Sequence, residues 1–506
     1  MKGTIGSGDE RAVTHRILFI MPPFERLRKD SYSGFGYPHS LAYLAGTVKK
    51  ETQWEAQIFN ADFSPKFETE SVEYLTGPGF ENYIRTLSDL TSPIWNEVRS
   101  AIREFSPSII GIYSATPQFP SAKVVARIAK EWNPSVKVII GGPHPTFTGE
   151  DVFADPNMDI AVRSEGERTI VDLLGALETG RNLESVQGIL FRQGDRIIRT
   201  PDRELIQDLD SLCFPHEYAK DVLKDYDKFS IYHFHRIYAT RGCPYNCFFC
   251  GSRYIWGRKV RFRSPENVAK EIQALQRLGL HHIHFDDDTF GVNSQYIRAL
   301  CHAIKTQCPG ITWSCEIHVK LVNEENVAVM KEAGCNRIQL GLESGNDEML
   351  RKIRKGITTK EALTAIQIIK KYGIKLTTFF IIGFPEETEE TLQDTFKFMK
   401  SIPGFLVFNI FTPYPGSEAY DFCKQQGLIG KDFDVSLYNH QSPENCFCIH
   451  ISKERFRERA KQIGAYVDQH NRRESIKNLF SIDHLHRLQD EGVLAAARHV
   501  LDILKI

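Results

Sequence analysis

The run R-G-C-P-Y-N-C-F-F-C-G, Arg241 to Gly251, carries three cysteines, Cys243, Cys247 and Cys250, spaced C-x3-C-x2-C. Three thiolates are one fewer than a closed four-cysteine iron–sulfur site requires. A 4Fe–4S cluster gripped in this way keeps one iron open, and an open metal position is where a small molecule binds and reacts. Zinc is the competing reading, but zinc prefers four Cys or His ligands in two-plus-two spacing, and no second C-x2-C lies nearby. Gly242 and Pro244 suit a tight loop.

The rest of the composition narrows the field. A chain of 506 residues suggests two to four domains. Its 42% hydrophobic and 25% charged content is that of a globular protein, and a formal net charge of −1 gives no bulk basic field for nucleic acid or anionic membrane. The longest apolar stretches, such as Leu376 to Phe384, fall well short of the ~18 residues that suggest a membrane span. Residues 1–14 are Gly-rich and polar and read as a tail rather than a secretory signal. Eleven irregularly spaced cysteines do not make a disulfide scaffold. Reduced thiols and a cytoplasmic, oxygen-protected setting follow from the cluster reading.

On either side of the cysteine run the chain alternates β-rich and amphipathic stretches, the pattern of parallel α/β sheets. Upstream, strands are expected at Ile17–Met21, Ala56–Asn60, Ile109–Tyr113, Lys137–Ile140 and Ile160–Val162. Their carboxyl ends, where doubly wound sheets bind ligands, carry Pro22–Phe24, Ser114–Thr116 and Gly141–His144. Downstream, six strands are expected at Arg236–Arg241, His282–Asp287, Thr312–His318, Arg337–Glu343, Lys375–Ile382 and Leu406–Phe411. Ser264 and Thr359 read as helix caps, and Gly279, Gly334 and Gly373 as helix terminators. Expected boundaries are a tail at 1–14, a first domain at 15–180, a linker at 181–235, a barrel at 236–427 and a helical segment at 428–506, ending in a short helix. Cys213, in the linker, reads as a small buried hydrophobe.

The cysteine run resembles the signature of radical S-adenosylmethionine (SAM) enzymes, and the segment before it resembles a cobalamin-binding domain. Together they identify a cobalamin-binding radical SAM architecture over residues 16 to about 425. The resemblance implies a Rossmann-like first domain, a partial (β/α)6 barrel and a small helical third part. It implies three cofactors: a 4Fe–4S cluster on Cys243, Cys247 and Cys250, SAM on the open iron, and cobalamin. SAM falls to Phe249, Asp286, Asp287, Glu343 and Gly383, the last in a G-F-P-E-E turn similar to the family's adenine-contacting one. Cobalamin falls to Ser114, Thr116, Gly141, Gly142 and His144. The cobalamin fingerprint D-x-H-x-x-G is missing after the first strand, where the loop reads M-P-P-F-E-R-L-R-K-D, so no histidine there ligates cobalt from below. His144 reads more readily as a loop histidine bonded to the backbone.

Other residues stay open between roles. Glu316 and His318 share one strand face by period two and touch SAM or substrate, or form an ion-paired interior. His281, His282 and His284 read as structural, and Asp288 as orienting its loop. Magnesium is a rival partner for the three aspartates. Cys446 and Cys448 do not suffice for a second cluster, and Tyr438 and Phe447 are candidates for a substrate cavity.

The resemblance implies a methyltransferase acting on an unactivated carbon through a 5′-deoxyadenosyl radical and methylcobalamin. The substrate is a small molecule, natural product or lipid, and the electron comes from a low-potential donor such as flavodoxin or ferredoxin. Alternatives are oxidative cyclisation or ring rearrangement, for example of a tetrapyrrole, and a cobalamin-binding protein with an inert barrel. A transfer-RNA-modifying enzyme is disfavoured by the balanced charge.

Overall fold

The computed structural model describes residues 15–32, 36–65 and 70–478. The expected tail at 1–14 and the final short helix lie outside them. Two large sheets organise the described residues, the first parallel except at one edge and the second parallel throughout. The first is seven-stranded, in the order β2-β1-β3-β4-β5-β6-β7. Its strands are β1 (Arg16–Met21), β2 (Glu55–Asn60), β3 (Ile109–Tyr113), β4 (Lys137–Gly141), β5 (Ile160–Val162), β6 (Ile189–Gln193) and β7 (Arg196–Arg199). The central strands are apolar throughout, as Ile17–Ile20 are, because helices cover both faces. Strand order reverses between β1 and β3, which makes the crevice above them the ligand-binding position of such a sheet.

The β6–β7 hairpin corrects one expectation. Residues 181–199 were expected to be linker, yet this hairpin adds antiparallel to β5. Its turn, Gln193-Gly194-Asp195-Arg196, has Gly194 at φ +60. Exposed arginines at both ends of the outer strand make the hairpin read as a solvated connector until the first three residues of its inner strand are seen buried. The helices Val72–Thr76 and Pro78–Ser88 lie between β2 and β3, and Ser294–Gln307 lies in the second half.

The second sheet has six parallel strands in the order β15-β14-β13-β12-β11-β8. They are β8 (Arg236–Ile237), β11 (His282–Phe285), β12 (Thr312–Glu316), β13 (Cys335–Glu343), β14 (Lys375–Ile382) and β15 (Phe405–Ile410). Between β8 and β11 lie β9 (Thr240–Arg241) and β10 (Arg261–Phe262), paired antiparallel. The expected single strand at 236–241 is therefore broken, and the cause is local. Asp287 takes the Ala239 N–H at 3.1 Å and the Thr240 N–H and hydroxyl, so these donors leave the parallel ladder. Ser264 caps its helix by accepting from Asn267, whereas Thr358, not Thr359, caps the next expected one in a capping box with Glu361. Gly279, Gly334 and Gly373 all have positive φ, as expected of helix terminators.

Buried charges lock the two sheets together. Arg261 meets both oxygens of Glu165 at 2.9 Å, and Arg241 bridges Glu165 at 2.7 Å and Glu167 at 2.6 Å. The helix Lys453–Asn478 then covers the far edge of the barrel. Asn471 both accepts from the Leu406 N–H at 2.9 Å and donates to its carbonyl at 2.7 Å, satisfying the edge strand β15. Among the described residues no helix is long and apolar enough to cross a membrane.

Candidate active site

The loop after β9 holds all three cysteines, each free and partly exposed. Gly242 enters it at φ +110, where a Cβ would meet the Lys259 carbonyl at 3.0 Å. The loop is then strapped across the barrel mouth. The Phe248 N–H donates to the Ile353 carbonyl at 2.9 Å, and its own carbonyl accepts from Ala419 at 3.1 Å. Burial pushes the Cys243 thiol up to about 11 and the Cys250 thiol up to about 12. Three half-buried thiols without a fourth fit a metal cluster, which alone would hold all three deprotonated.

Lys355, which the sequence reading did not single out, stands beside them. It faces Cys247 and Cys250, and its ammonium lies 2.7 Å from Glu343 Oε1. Glu343 ends β13 at φ +64, in the left-handed region, after a register shift at Gly341. A Cβ on Gly341 would fall 2.6 Å from Glu343 Oε1 and 2.8 Å from Lys355 Nζ, so the glycine makes room for the pair. Only its place at the end of a basic run marks Lys355 in the sequence.

The acidic strand end divides into three roles. Asp286 accepts from Arg236 at 2.9 Å and from the Tyr238 hydroxyl at 3.1 Å inside the barrel. Asp287 is the correction: expected to contact SAM, it is 2% exposed and committed to the Ala239–Thr240 main chain, and burial raises its pKa to about 7. It positions the strand leading into the cysteine loop. Asp288 lies against the Gly242 amide, in the loop-orienting role expected of it. Glu316 sits near Asp286, Asp288 and Glu343, and burial followed by the Asp286 charge raises it to about 7. His284 is neutral, held at about 4 by burial, with Nδ1 2.8 Å from the Ser314 hydroxyl. His284, Asp286 and Glu316 offer ligand atoms within 4.8 Å of one another, while Asp286 also accepts from Arg236 and Tyr238 through one lone pair of each oxygen. His318 stacks on Tyr245 of the cysteine loop at 3.7 Å between centroids.

The Gly383 turn is backed by the helix Lys453–Asn478. Gly383 has φ +87 and donates its N–H to Glu387, and a Cβ there would lie 2.6 Å from the Phe456 ring. Phe249 packs on Phe384 at 5.8 Å, Phe384 on Phe411 at 5.3 Å, and Phe411 on Phe447 at 6.1 Å. Tyr438 joins Phe447 at 5.5 Å, so both expected cavity residues belong to one aromatic wall.

At the edge of the first sheet, Ser114, Thr116, Gly141, Gly142 and His144 come together at the ends of β3 and β4. Gly142 has φ +110, and its Cβ would strike the Ser114 carbonyl at 2.8 Å; Gly141 instead has only Val162 at 3.9 Å. The polar groups are turned inward. Ser114 is fully buried, and its hydroxyl lies 3.1 Å from the Ala115 carbonyl. His144 Nδ1 lies 3.2 Å from the Thr116 hydroxyl, not against a backbone group, with its ring on Phe119 at 4.0 Å. The open cradle at Gly141 fits a flat ring system, whereas the His144 ring is buried. The loop after β1 is held instead by Asp62, which accepts from Phe24 at 2.7 Å and Arg26 at 3.0 Å. Arg28 in that loop is sandwiched by Phe24 and Tyr83 and donates to Asn439 at 2.8 Å, tying it to the C-terminal segment.

The two edges meet. Helix Pro143–Thr148 follows Gly142, and its Phe147 ring lies so close to Gly251 that a Cβ there would be 2.8 Å from it. Gly251 is the residue after Cys250.

Comparison with known proteins agrees with this layout. The radical SAM superfamily profile matches residues 237–399, and the B12 binding domain profile matches residues 26–174. An uncharacterised methyltransferase of Pyrococcus horikoshii is 34% identical over 418 residues, 82% of this chain and 84% of that protein. The anaerobic magnesium-protoporphyrin IX monomethyl ester cyclase of Rubrivivax gelatinosus is 28% identical, over 85% of this chain and 73% of the cyclase. The radical SAM methyltransferase TsrM of Kitasatospora setae, solved with cobalamin and a [4Fe-4S] cluster, superposes with a TM-score of 0.62. That match has 16% identity and covers 82% of this chain and 75% of the other.

Proposed function

Because the chain belongs to the cobalamin-binding radical SAM family, we propose that it is a radical SAM methyltransferase acting on an unactivated carbon of a small-molecule, natural-product or lipid substrate. The observation that carries this reading is the contact of Phe147 with Gly251, which sets the Gly141–Gly142 edge beside the three-cysteine loop. The chemistry the bound groups supply there is hydrogen abstraction by a 5′-deoxyadenosyl radical and methyl delivery from methylcobalamin.

The chain's own residues then divide the work. Cys243, Cys247 and Cys250 hold the cluster. Lys355, neutralised in part by Glu343, faces the thiols and offsets their charge. Phe249 and the Gly383 turn form a wall for the adenine, and Asp286 presents a carboxylate inside the barrel for the SAM amino group. Gly141 leaves the open surface for the corrin. The aromatic wall from Phe384 to Tyr438 excludes water from the mouth, which protects a reactive radical.

A second reading, oxidative cyclisation or rearrangement, is favoured by one observation: a cyclase aligns over 85% of this chain. SAM carrying a deuterated methyl group separates the two, because label in the product marks transfer. The test of the site itself is Cys247→Ala. That variant should lose the brown cluster absorbance and all SAM cleavage while retaining cobalamin, and retained cleavage would refute the assignment.

A further inference from the structure

We propose that Cys446 and Cys448 are a peroxide-reactive thiol pair, Cys446 being oxidised first and Cys448 closing a disulfide on it, and that this disulfide loosens the Gly383 turn. The consequence for the turn rests on the reading above, in which Gly383 borders the adenine of SAM.

Accessibility singles out the pair. Of the eleven cysteines, six are buried and three lie in the loop after β9, which leaves Cys446 and Cys448 half-buried elsewhere. Their segment is pinned on both sides. Asn445 donates to the Thr412 hydroxyl and to the Asn439 carbonyl, each at 2.6 Å. Phe447 packs on Phe411 and Tyr438, and the Ile449 N–H donates to the Pro385 carbonyl at 2.8 Å. Asn445 and Phe447 are buried while the two cysteines are not, an alternation that puts both thiols on one face. There they hydrogen-bond to each other.

Their surroundings make the two sulfurs unequal. The Cys448 thiol donates to Cys446 and holds its pKa below the ordinary thiol range, with a smaller attraction from Lys453 and Arg457. Both of those cations are also bonded to Glu444, at 2.6 and 2.7 Å. Donating that hydrogen bond, burial and the nearby Glu387 charge all hold the Cys448 thiol up. Cys446 is therefore the nucleophile and Cys448 the resolving thiol. The Cys446 sulfur attacks one peroxide oxygen, the O–O bond breaks, and the departing hydroxide takes a proton to leave as water. Cys448 then gives up its proton, and its sulfur displaces the hydroxyl of the sulfenic acid as a second water. Two thiols are oxidised and one peroxide is reduced.

The disulfide reports to the barrel through two neighbours. Cys448 faces Glu387, whose carboxylate accepts from the Gly383 N–H, and the next residue, Ile449, is bonded to Pro385. A bridge between residues two apart is strained, which makes it readily reducible and pulls on the backbone that carries these contacts.

The test uses the reconstituted holoenzyme without oxygen. At pH 7, iodoacetamide should label Cys446 roughly tenfold or more faster than Cys448, in line with the larger thiolate fraction. One equivalent of hydrogen peroxide should give a Cys446–Cys448 disulfide by peptide mass, and in Cys448→Ser a dimedone adduct on Cys446. The oxidised parent should bind SAM roughly fivefold or more weakly by equilibrium dialysis, with recovery on reduction by a phosphine. Cys446→Ser under the same treatment should keep its affinity, which separates the thiol pair from damage to the cluster. Absence of both disulfide and adduct, an unchanged affinity in the oxidised parent, or equal loss in Cys446→Ser overturns the proposal. A reduced parent that binds no SAM refutes instead the reading on which the adenine turn rests.

Discussion

Lys355 Nζ lies 2.7 Å from Glu343 Oε1, and both side chains are about nine-tenths buried beside Cys247. Neither residue is placed by ordinary helix or strand geometry. Glu343 adopts positive φ at a strand end, and Lys355 follows Arg354, which is itself at φ +52. Strained backbone of this kind persists where surrounding structure fixes it, and it clusters at functional sites.

Removing one partner of this pair should therefore be worse than removing both. Lys355→Met strands a buried carboxylate and should cost about 3 kcal/mol or more. Glu343→Gln/Lys355→Met should recover part of that loss. Thermal denaturation of the two variants measures the coupling, and iron per protein should fall most in the Lys355→Met single variant. Equal midpoints in single and double variants would show that the pair is not coupled.

The two adjacent glycines should behave differently on substitution. Gly142→Ala places a Cβ 2.8 Å from the Ser114 carbonyl at φ +110, a strain of about 1–3 kcal/mol, and should lower both stability and cobalamin affinity. Gly141→Ala meets nothing closer than 3.9 Å, so stability should hold to within about 0.5 kcal/mol. If the corrin lies across this edge, Gly141→Ala should still weaken cobalamin binding about tenfold or more. Spectrophotometric titration of both variants, beside their melting curves, reads the difference.

His144 should make the fold acid-sensitive. Burial, helped by nearby Lys123, holds its pKa at about 3, whereas an unfolded histidine titrates near 6.5. A depressed histidine binds its proton only on unfolding. Its penalty is absent above about pH 6.5 and grows as the pH falls towards 3. His144→Gln should therefore remove about 2 kcal/mol of the destabilisation between pH 7 and pH 5, seen as a smaller drop in melting temperature. An unchanged drop would mean that other buried histidines such as His39 and His440, both at about 4, account for it.

Much of the site was legible because it rests on residues adjacent in sequence. The cysteine loop, the Gly141–Gly142 turn and the Gly383 turn each need positive φ or clustered ligands within a few positions, and such needs leave local marks. Apolar strands such as Ile109–Tyr113 were equally plain, since burial on both faces selects near-continuous hydrophobic runs. Asp287 was misread for the opposite reason. Three consecutive aspartates look alike in a sequence, and only the path of β9 shows that the middle one points at the main chain.

The sequence alone therefore determined the class of fold, the close spacing of the three cysteines and the places where glycine must stand, because steric rules act over short separations. Tertiary structure alone decided which polar groups remain free. Packing turned the Ser114 hydroxyl and His144 inward, brought Lys355 to the thiols across the barrel, and set Phe147 on Gly251. Those contacts join residues up to a hundred or more positions apart, and their energy depends on which neighbours remove water, a quantity that no local pattern encodes.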